Sequence, residues 1–383
     1  MLLPRFGVLG SVAFHGVIVR RVSLTPAAFR TPVSVSSLQP TCTWSCIVTG
    51  EQARNMSIKS AGARASSTDQ QPMSDQHPNE KTRMGAGLRE LVDKYDGFIL
   101  DQFGVLHDGK DALPGAVECL EELRRKGKRL VILSNTSKRE AFTMNRLPKY
   151  GFRSELFDGG VTSGEEGHLF LAQSGLVGGK AVLLGWNGED ADGFLKTLAL
   201  DYSSPQEAAF LLCHGPDTIV DESGVNRTGT RNSGNVEPYE PIFQAAIHRD
   251  LPMYNVNPDI TVNNPEGGMW YMPGLLSKKY EEMGGRVKYF GKPYKEHYDA
   301  AVAKMGLAKE KVIHVGDSLA HDILGARGSG LDSLFIAGGI HGKELGVDAR
   351  QGSPPFDLSV ATLEDLFARE GVTPTWTLPR LEL

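Results

Sequence analysis

The sequence predicts an α/β protein: an open parallel sheet covered by helices, with a second, smaller α/β unit inserted into it. Three observations carry this. Short runs of consecutive apolar residues, such as Phe98–Leu100 and Leu130–Leu133, suit strands buried on both faces of a parallel sheet. Such runs alternate with stretches at helical spacing. Several of them end in a carboxylate or hydroxyl, and open α/β sheets bind ligands at the carboxyl ends of their strands.

At 383 residues the chain is long enough for two domains with proper cores, and its 40% apolar and 23% charged residues exclude a fibrous or disordered class. Residues 1–68 differ in kind. They hold seven Lys and Arg (Arg5, Arg20, Arg21, Arg30, Arg54, Lys59, Arg64) against one acid, Glu51, among many Ser, Thr and Ala. That is the make-up of an organellar targeting leader, mitochondrial or plastid, the alternative being a cytoplasmic protein with a disordered tail. The apolar stretch from Phe6 to Val19 is too short to span a bilayer and is interrupted by His15. Residues 69–88 read as a flexible linker. The leader contributes +6 to a formal total of −5, so the remainder carries −11, which argues against nucleic acid as a partner. No membrane span is visible beyond the leader. Cys42, Cys46, Cys119 and Cys213 show neither a disulfide framework nor zinc spacing and read as buried or incidental thiols.

In chain order, residues 89–160 form the first half of the main unit. Phe98–Leu100 delivers Asp101 to a glycine-containing turn. Pro114 suits a first helical turn, Ala116, Val117, Leu120 and Leu123 repeat at helical spacing, and Gly127 offers a stop. The strand from Arg129 ends in Ser134 and Asn135. Strand, helix and strand of this length make a right-handed βαβ unit, which sets Asp101 and Ser134 side by side.

Residues 161–287 repeat the pattern as an insert, with strands at Ala181–Gly185, Ala209–Cys213 and Pro252–Asn257 and helices at Asp190–Leu198 and Pro241–His248. The stretch Asp221–Pro238, rich in Gly, Asn, Ser and Thr, reads as a surface loop. The main sheet is expected to resume at Val287, and residues 288–345 supply its second half. A helix beyond Lys292 and Pro293 runs to Gly306, Lys311–Gly316 is a strand ending in Asp317, and Ser333–Gly339 supplies another. Residues 346–383 read as an extension, helical over Ala361–Ala368, that packs on the core surface. Trp270 and Tyr271 suit a domain core or a pocket wall, and His314 reads as a satisfied buried histidine.

Asp101, Ser134 and Asp317 thus end three strands, and Lys292 brings a cation to the same edge. Singly, each is ordinary; Gly-Asp-Ser at a helix start is often only a cap. Together they resemble the haloacid dehalogenase (HAD) superfamily over roughly residues 93–345. The motifs are Asp101-Gln-Phe103-Gly-Val-Leu, Leu-Ser134-Asn135-Thr136, Gly291-Lys292-Pro293 and Gly316-Asp317-Ser-Leu-Ala-His-Asp322. The insert between the second and third, with its Asn257-Pro258-Asp259, is similar to the C2-type cap of the class IIA, NagD-like branch.

The resemblance implies a Rossmann-like HAD core with an inserted α/β cap, and a Mg²⁺-dependent hydrolase acting on a small phosphorylated metabolite. It implies that Asp101 is a nucleophile that becomes an aspartyl-phosphate. Mg²⁺ would be held by Asp101, the Phe103 backbone carbonyl and Asp317, with Asp322 a direct or indirect partner. Ser134 and Asn135 would bind phosphate, Lys292 would offset charge in catalysis, and Asp259 would face the substrate from the cap. Homo-oligomers formed through the cap are common in that branch; the residues of this chain do not by themselves require one.

One position departs from the pattern. Family phosphatases usually carry, two residues after the nucleophile, an aspartate that transfers protons; here it is Phe103. Losing a general acid–base costs roughly 10²–10⁴ in rate. His107 and Asp108 are candidate substitutes or else turn residues that fix the loop. Two further readings stay open: a HAD enzyme of a different reaction type, and a non-catalytic protein that binds a phosphate ligand for regulation.

Overall fold

The computed structural model describes residues 81–383 except 86, 189, 349 and 351–357. The expected leader, Cys42, Cys46 and the first part of the expected linker lie outside the described residues. Among the described residues, two seven-stranded sheets build the fold, with a separate two-stranded hairpin beside them. In the main sheet the strands run, edge to edge, Arg83–Met84, Trp376–Leu378, Asp332–Ile336, Val312–Gly316, Gly97–Leu100, Arg129–Ser134 and Gly160–Thr162, with every pair parallel.

The uninterrupted apolar runs are explained by burial on both faces. Phe98 and Leu100 point into one core with Leu120 and Leu123 of the helix Ala116–Arg125, whereas Ile99 points into another with Tyr298 and Ala301 of the helix Lys295–Met305. A side chain fully buried in this way contributes about 1.5–3 kcal/mol. Because this strand is central, its C-terminal end and those of its neighbours converge on one edge, with Asp101 flanked by Ser134 and Asp317.

The insert has its own sheet in the order Arg286–Tyr289, Pro252–Asn255, Phe210–Cys213, Lys180–Gly185, Thr218–Asp221 and Gly224–Arg227, with Asp201–Tyr202 also paired to Lys180–Gly185. Its two faces bury Val182, Leu184, Leu211 and Met253 on one side and Ala181, Leu183, Phe210 and Leu212 on the other. Among the described residues, no helix is long and apolar enough to cross a membrane.

Several expectations change. The strand at Val287 does not reopen the main sheet: Arg286–Tyr289 pairs with Pro252–Asn255 as the edge of the insert's sheet. Its alternation of Arg286 and Lys288 with apolar residues suits a partly exposed edge, not a strand buried on both faces. The main sheet returns only at Val312. The expected loop 221–238 holds a hairpin, Thr218–Asp221 with Gly224–Arg227, closed where Asp221 Oδ1 accepts from the Ser223 amide at 2.8 Å. A helical turn, Thr230–Ser233, follows it. The expected extension is integral, since Trp376–Leu378 pairs on both sides within the main sheet, and Arg83–Met84 of the expected linker forms the sheet's outer strand. Strands of two or three residues carry too little periodicity to be read in advance.

Candidate active site

Three buried carboxylates meet at the strand ends. Asp101, Asp317 and Asp322 each place an oxygen within 4.8 Å of the others. Asp101 continues the sheet, its amide donating to Val315 O at 2.9 Å. Asp322 comes from a single wide helical turn, Leu319–Ile323, in which the Ile323 amide reaches back to Ser318 O at 3.1 Å. Tyr298 Oη pins that turn by donating to the carbonyls of His321 and Asp322 at 2.8 and 3.1 Å.

The cluster requires bare backbone around it. A Cβ at Gly104 would lie 2.0 Å from Asp317 Oδ2, and one at Gly339 2.1 Å from the same atom. Gly104 also has φ +87°, a conformation that side chains disfavour. The Ile340 amide donates to Asp317 Oδ2 at 2.7 Å.

Lys292 lies between two of the acids. Its Nζ donates to Asp101 Oδ1 at 2.6 Å and to Asp322 Oδ1 at 2.7 Å. Asp322 Oδ1 also meets His314 Nε2 at 2.9 Å, and its Oδ2 accepts from the Ser318 amide at 3.0 Å. His314 is therefore buried as expected but serves an acid of the site, while its Nδ1 has no partner among the described residues.

These contacts divide the acids. Burial opposes the charged form of Asp322, yet Lys292 and His314 outweigh it and hold its carboxyl below the usual range. Burial pushes Asp101 up to about 7 against the pull of Lys292. It raises Asp317 well above the ordinary value too, with the charges of Asp101 and Asp322 adding to the effect. Burial disfavours the Lys292 ammonium, but Asp101 and Asp322 prevail and its pKa rises. One ammonium among three carboxylates leaves the cluster short of positive charge, and its donors are all hard oxygen. The residues fit a divalent cation of the Mg²⁺ type.

A cavity of about 80 Å³ opens on the cluster, lined by Asp101, Phe103, Ser134, Asn135, Lys292 and Asp317 from the main unit and by Asp259 and Thr261–Asn263 from the insert. All the expected site residues therefore meet. Asn135, expected to bind phosphate, is engaged in positioning: its Oδ1 accepts from the Lys292 amide at 2.6 Å, and its Nδ2 donates to Asp259 Oδ1 at 2.8 Å and Lys292 O at 3.3 Å. Gly291 permits this, since a Cβ there would lie 2.5 Å from Asn135 Oδ1.

Residues 98–195 match the family model described as haloacid dehalogenase-like hydrolase, and residues 289–366 match one described as HAD-hydrolase-like. The chain belongs to the HAD-like hydrolases. It is a hydrolase of that family. It is 28% identical over 268 residues to a 4-nitrophenylphosphatase of Schizosaccharomyces pombe, covering 67% of this chain and 88% of that one. It is 25% identical over 285 residues to a glycerol-3-phosphate phosphatase of Rattus norvegicus, covering 66% and 82%. A haloacid dehalogenase-like hydrolase from Brucella suis 1330 superposes with a TM-score of 0.59 at 25% identity, covering 77% of this chain and 98% of that one. The insert is the cap of this fold.

Phe103 sits on the cavity wall of this HAD enzyme, and a Cβ at Gly109 would be 3.1 Å from its ring. His107 and Asp108 do not replace the missing acid. The His107 ring stacks on Tyr150 at 4.0 Å, its Nδ1 accepts from the Gly109 amide at 3.0 Å, and burial pushes its pKa down to about 4. Asp108 accepts from the Lys110 and Asp111 amides and pairs with Arg350 at 2.7 Å, which fixes the turn.

Two contributors escaped the sequence. His321 lines the cavity with its Nδ1 3.6 Å from Asp259 Oδ1, and the hairpin Thr261–Asn263 with Met269–Tyr271 supplies part of the wall. The position of His321 inside the fourth motif was the available signal; for the hairpin the signal was the aromatic pair Trp270 and Tyr271, which does not by itself mark Thr261–Asn263 as its partner strand.

Proposed function

We propose that this HAD enzyme is a Mg²⁺-dependent phosphohydrolase acting on a small phosphorylated metabolite through an aspartyl-phosphate on Asp101. The observation that carries the reading is the junction of Asp101, Lys292 and the buried acid pair at the mouth of a cavity that Ser134 also lines. The phosphatase names of its relatives agree with it.

Asp101, Asp317 and the Phe103 carbonyl would hold Mg²⁺, with Asp322 adjoining. Bound there, the cation would lower the repulsion between an anionic nucleophile and an anionic phosphate. Lys292 pulls Asp101 toward the ionised form against burial and holds its carboxyl in place. Asp101 attacks phosphorus, the bond to the leaving oxygen breaks, and water later displaces the carboxylate to release phosphate. Ser134 Oγ, which lines the cavity, would donate to a phosphate oxygen.

Phe103 cannot protonate the leaving oxygen; outside the acid cluster and Lys292, the titratable side chains lining the same cavity are Asp259 from the cap and His321 from the main unit. The apolar ring favours a second reading, a HAD reaction whose leaving group needs no proton from that position. Phosphate release from a broad panel of phosphorylated metabolites, by wild type and Asp101→Asn with Mg²⁺, tests the first reading; no release from any of them refutes it. We also propose that residues 1–68 direct the chain to a mitochondrion or plastid. A reporter fused to them that stays in the cytoplasm would refute this.

A further inference from the structure

We propose that Arg231 forms a second anion subsite in the cap, selecting substrates that carry a carboxylate or second phosphate away from the scissile group. The proposal rests on the phosphohydrolase reading above. Its starting point is an arginine without an acid. Arg124 and Arg139, also partly buried, pair with carboxylates, Arg124 with Asp158 at 2.9 Å and Arg139 with Glu165 at 2.7 Å. Arg231 has no such ion pair among the described residues, and its Nε, shielded from solvent, has no hydrogen-bond partner there.

Two indoles hold it instead. The guanidinium carbon lies 3.9 Å from the centre of the Trp270 ring and 5.7 Å from that of Trp186. Stacking occupies the face of the guanidinium and leaves its in-plane N–H donors free, in the fork that matches a carboxylate or phosphate. The backbone is fixed separately, with the Arg231 amide donating to Asp217 Oδ1 at 3.2 Å.

The clamp adjoins the reaction cavity. Trp270 is the cross-strand partner of Val262, which lines that cavity. Cross-strand partners share a face at a Cβ spacing of about 5 Å. On the other side, Trp186 Nε1 donates at 2.9 Å to Ser137 Oγ, three residues beyond Ser134. The two indoles therefore carry Arg231 between the phosphate end of the site and the hairpin that walls it. A substrate tail leaving the cavity past Val262 meets a preset cation.

Calorimetric titration of the full chain with Mg²⁺ and non-hydrolysable ligands tests this independently of turnover. The ligands are alkylphosphonates, phosphonocarboxylates and alkane diphosphonates of matched and graded length. Wild type is expected to bind an anion-tailed ligand at least about tenfold more tightly than the alkylphosphonate of equal length. Arg231→Gln should lose that preference while binding the alkylphosphonate as before, with Arg231→Lys in between. The preferred tail distinguishes carboxylate from phosphate. Equal binding of tailed and untailed ligands at every length, or no binding of any, overturns the proposal. So does an equal loss for all ligands in Arg231→Gln, which would mean that Arg231 only supports the hairpin. Should that variant fail to fold, Trp270→Phe gives the same comparison. A protein that discriminates tails but releases no phosphate would keep the subsite and lose the hydrolase reading.

Discussion

Lys292 Nζ donates to Asp101 Oδ1 at 2.6 Å, joining the third motif of the chain to its first across 191 positions. Removing one partner of a buried pair leaves an uncompensated charge and costs about 3–5 kcal/mol. Lys292→Met is therefore expected to lower unfolding free energy by that order in chelator and to suppress turnover. Denaturant titration with and without Mg²⁺ checks it, since a cation at the acid cluster should restore part of the loss.

If Asp101 is the nucleophile proposed above, Asp101→Asn should reduce phosphate release by at least about 10³-fold, because an amide cannot take a carboxylate's place in the attack. Its stability in chelator should not fall in the same way, since burial already opposes the charged form of Asp101. Mg²⁺ at 100 times its Kd should stabilise wild type by about 2.7 kcal/mol, and Asp317→Asn should lose that increment.

Phe103→Asp places a proton carrier two residues beyond Asp101. The rate on alkyl phosphates is expected to rise by about 10²–10⁴ and that on 4-nitrophenyl phosphate by much less, because nitrophenolate leaves without protonation. Comparing the two substrates in one variant gives the answer. Equal gains would mean that the ring had only blocked access.

Two buried histidines make the fold acid-sensitive. Burial holds His107 down to about 4 and His214 down to about 3, whereas an unfolded chain binds these protons near 6.5. Both are neutral in folded and unfolded chains above 6.5, so their stability contribution is complete there. As pH falls from 6.5 toward 4, the unfolded state takes up protons that the folded state refuses, and each site costs up to about 3 kcal/mol. His214→Leu should flatten the dependence between pH 7 and 5 in denaturant titrations, the more so because neither ring nitrogen has a hydrogen-bond partner among the described residues.

Asn135→Ala should cost about 1–3 kcal/mol by leaving the Lys292 amide unpaired, and should raise KM through the loss of Asp259 on the cap side. Steady-state kinetics and unfolding together separate the two effects.

The catalytic edge was legible because its parts follow from strand ends. Apolar runs place Asp101, Ser134 and Asp317 at one edge, and Gly-Lys-Pro gives Lys292 its approach. The use of Asn135 was not legible, since an amide after a strand looks the same whether it faces a ligand or a backbone. Nor was the Arg286–Tyr289 strand, whose pairing with Pro252–Asn255 is a tertiary choice between two sheets. The hairpin at Gly224–Arg227 is exposed along its length and leaves no apolar pattern to read.

The Trp376–Leu378 strand fills the place between Asp332–Ile336 and Arg83–Met84, and Thr82 Oγ1 meets Thr377 Oγ1 at 2.8 Å across 295 positions. A ribosome exposes Arg83–Met84 long before its partner exists. The main sheet can therefore be completed only after Trp376–Leu378 has been synthesised, whereas the cap strands from Lys180 to Tyr289 are contiguous and can pair during translation. Nascent chains stalled before Trp376 should accordingly carry a protease-resistant cap on a core whose outer edge is still open.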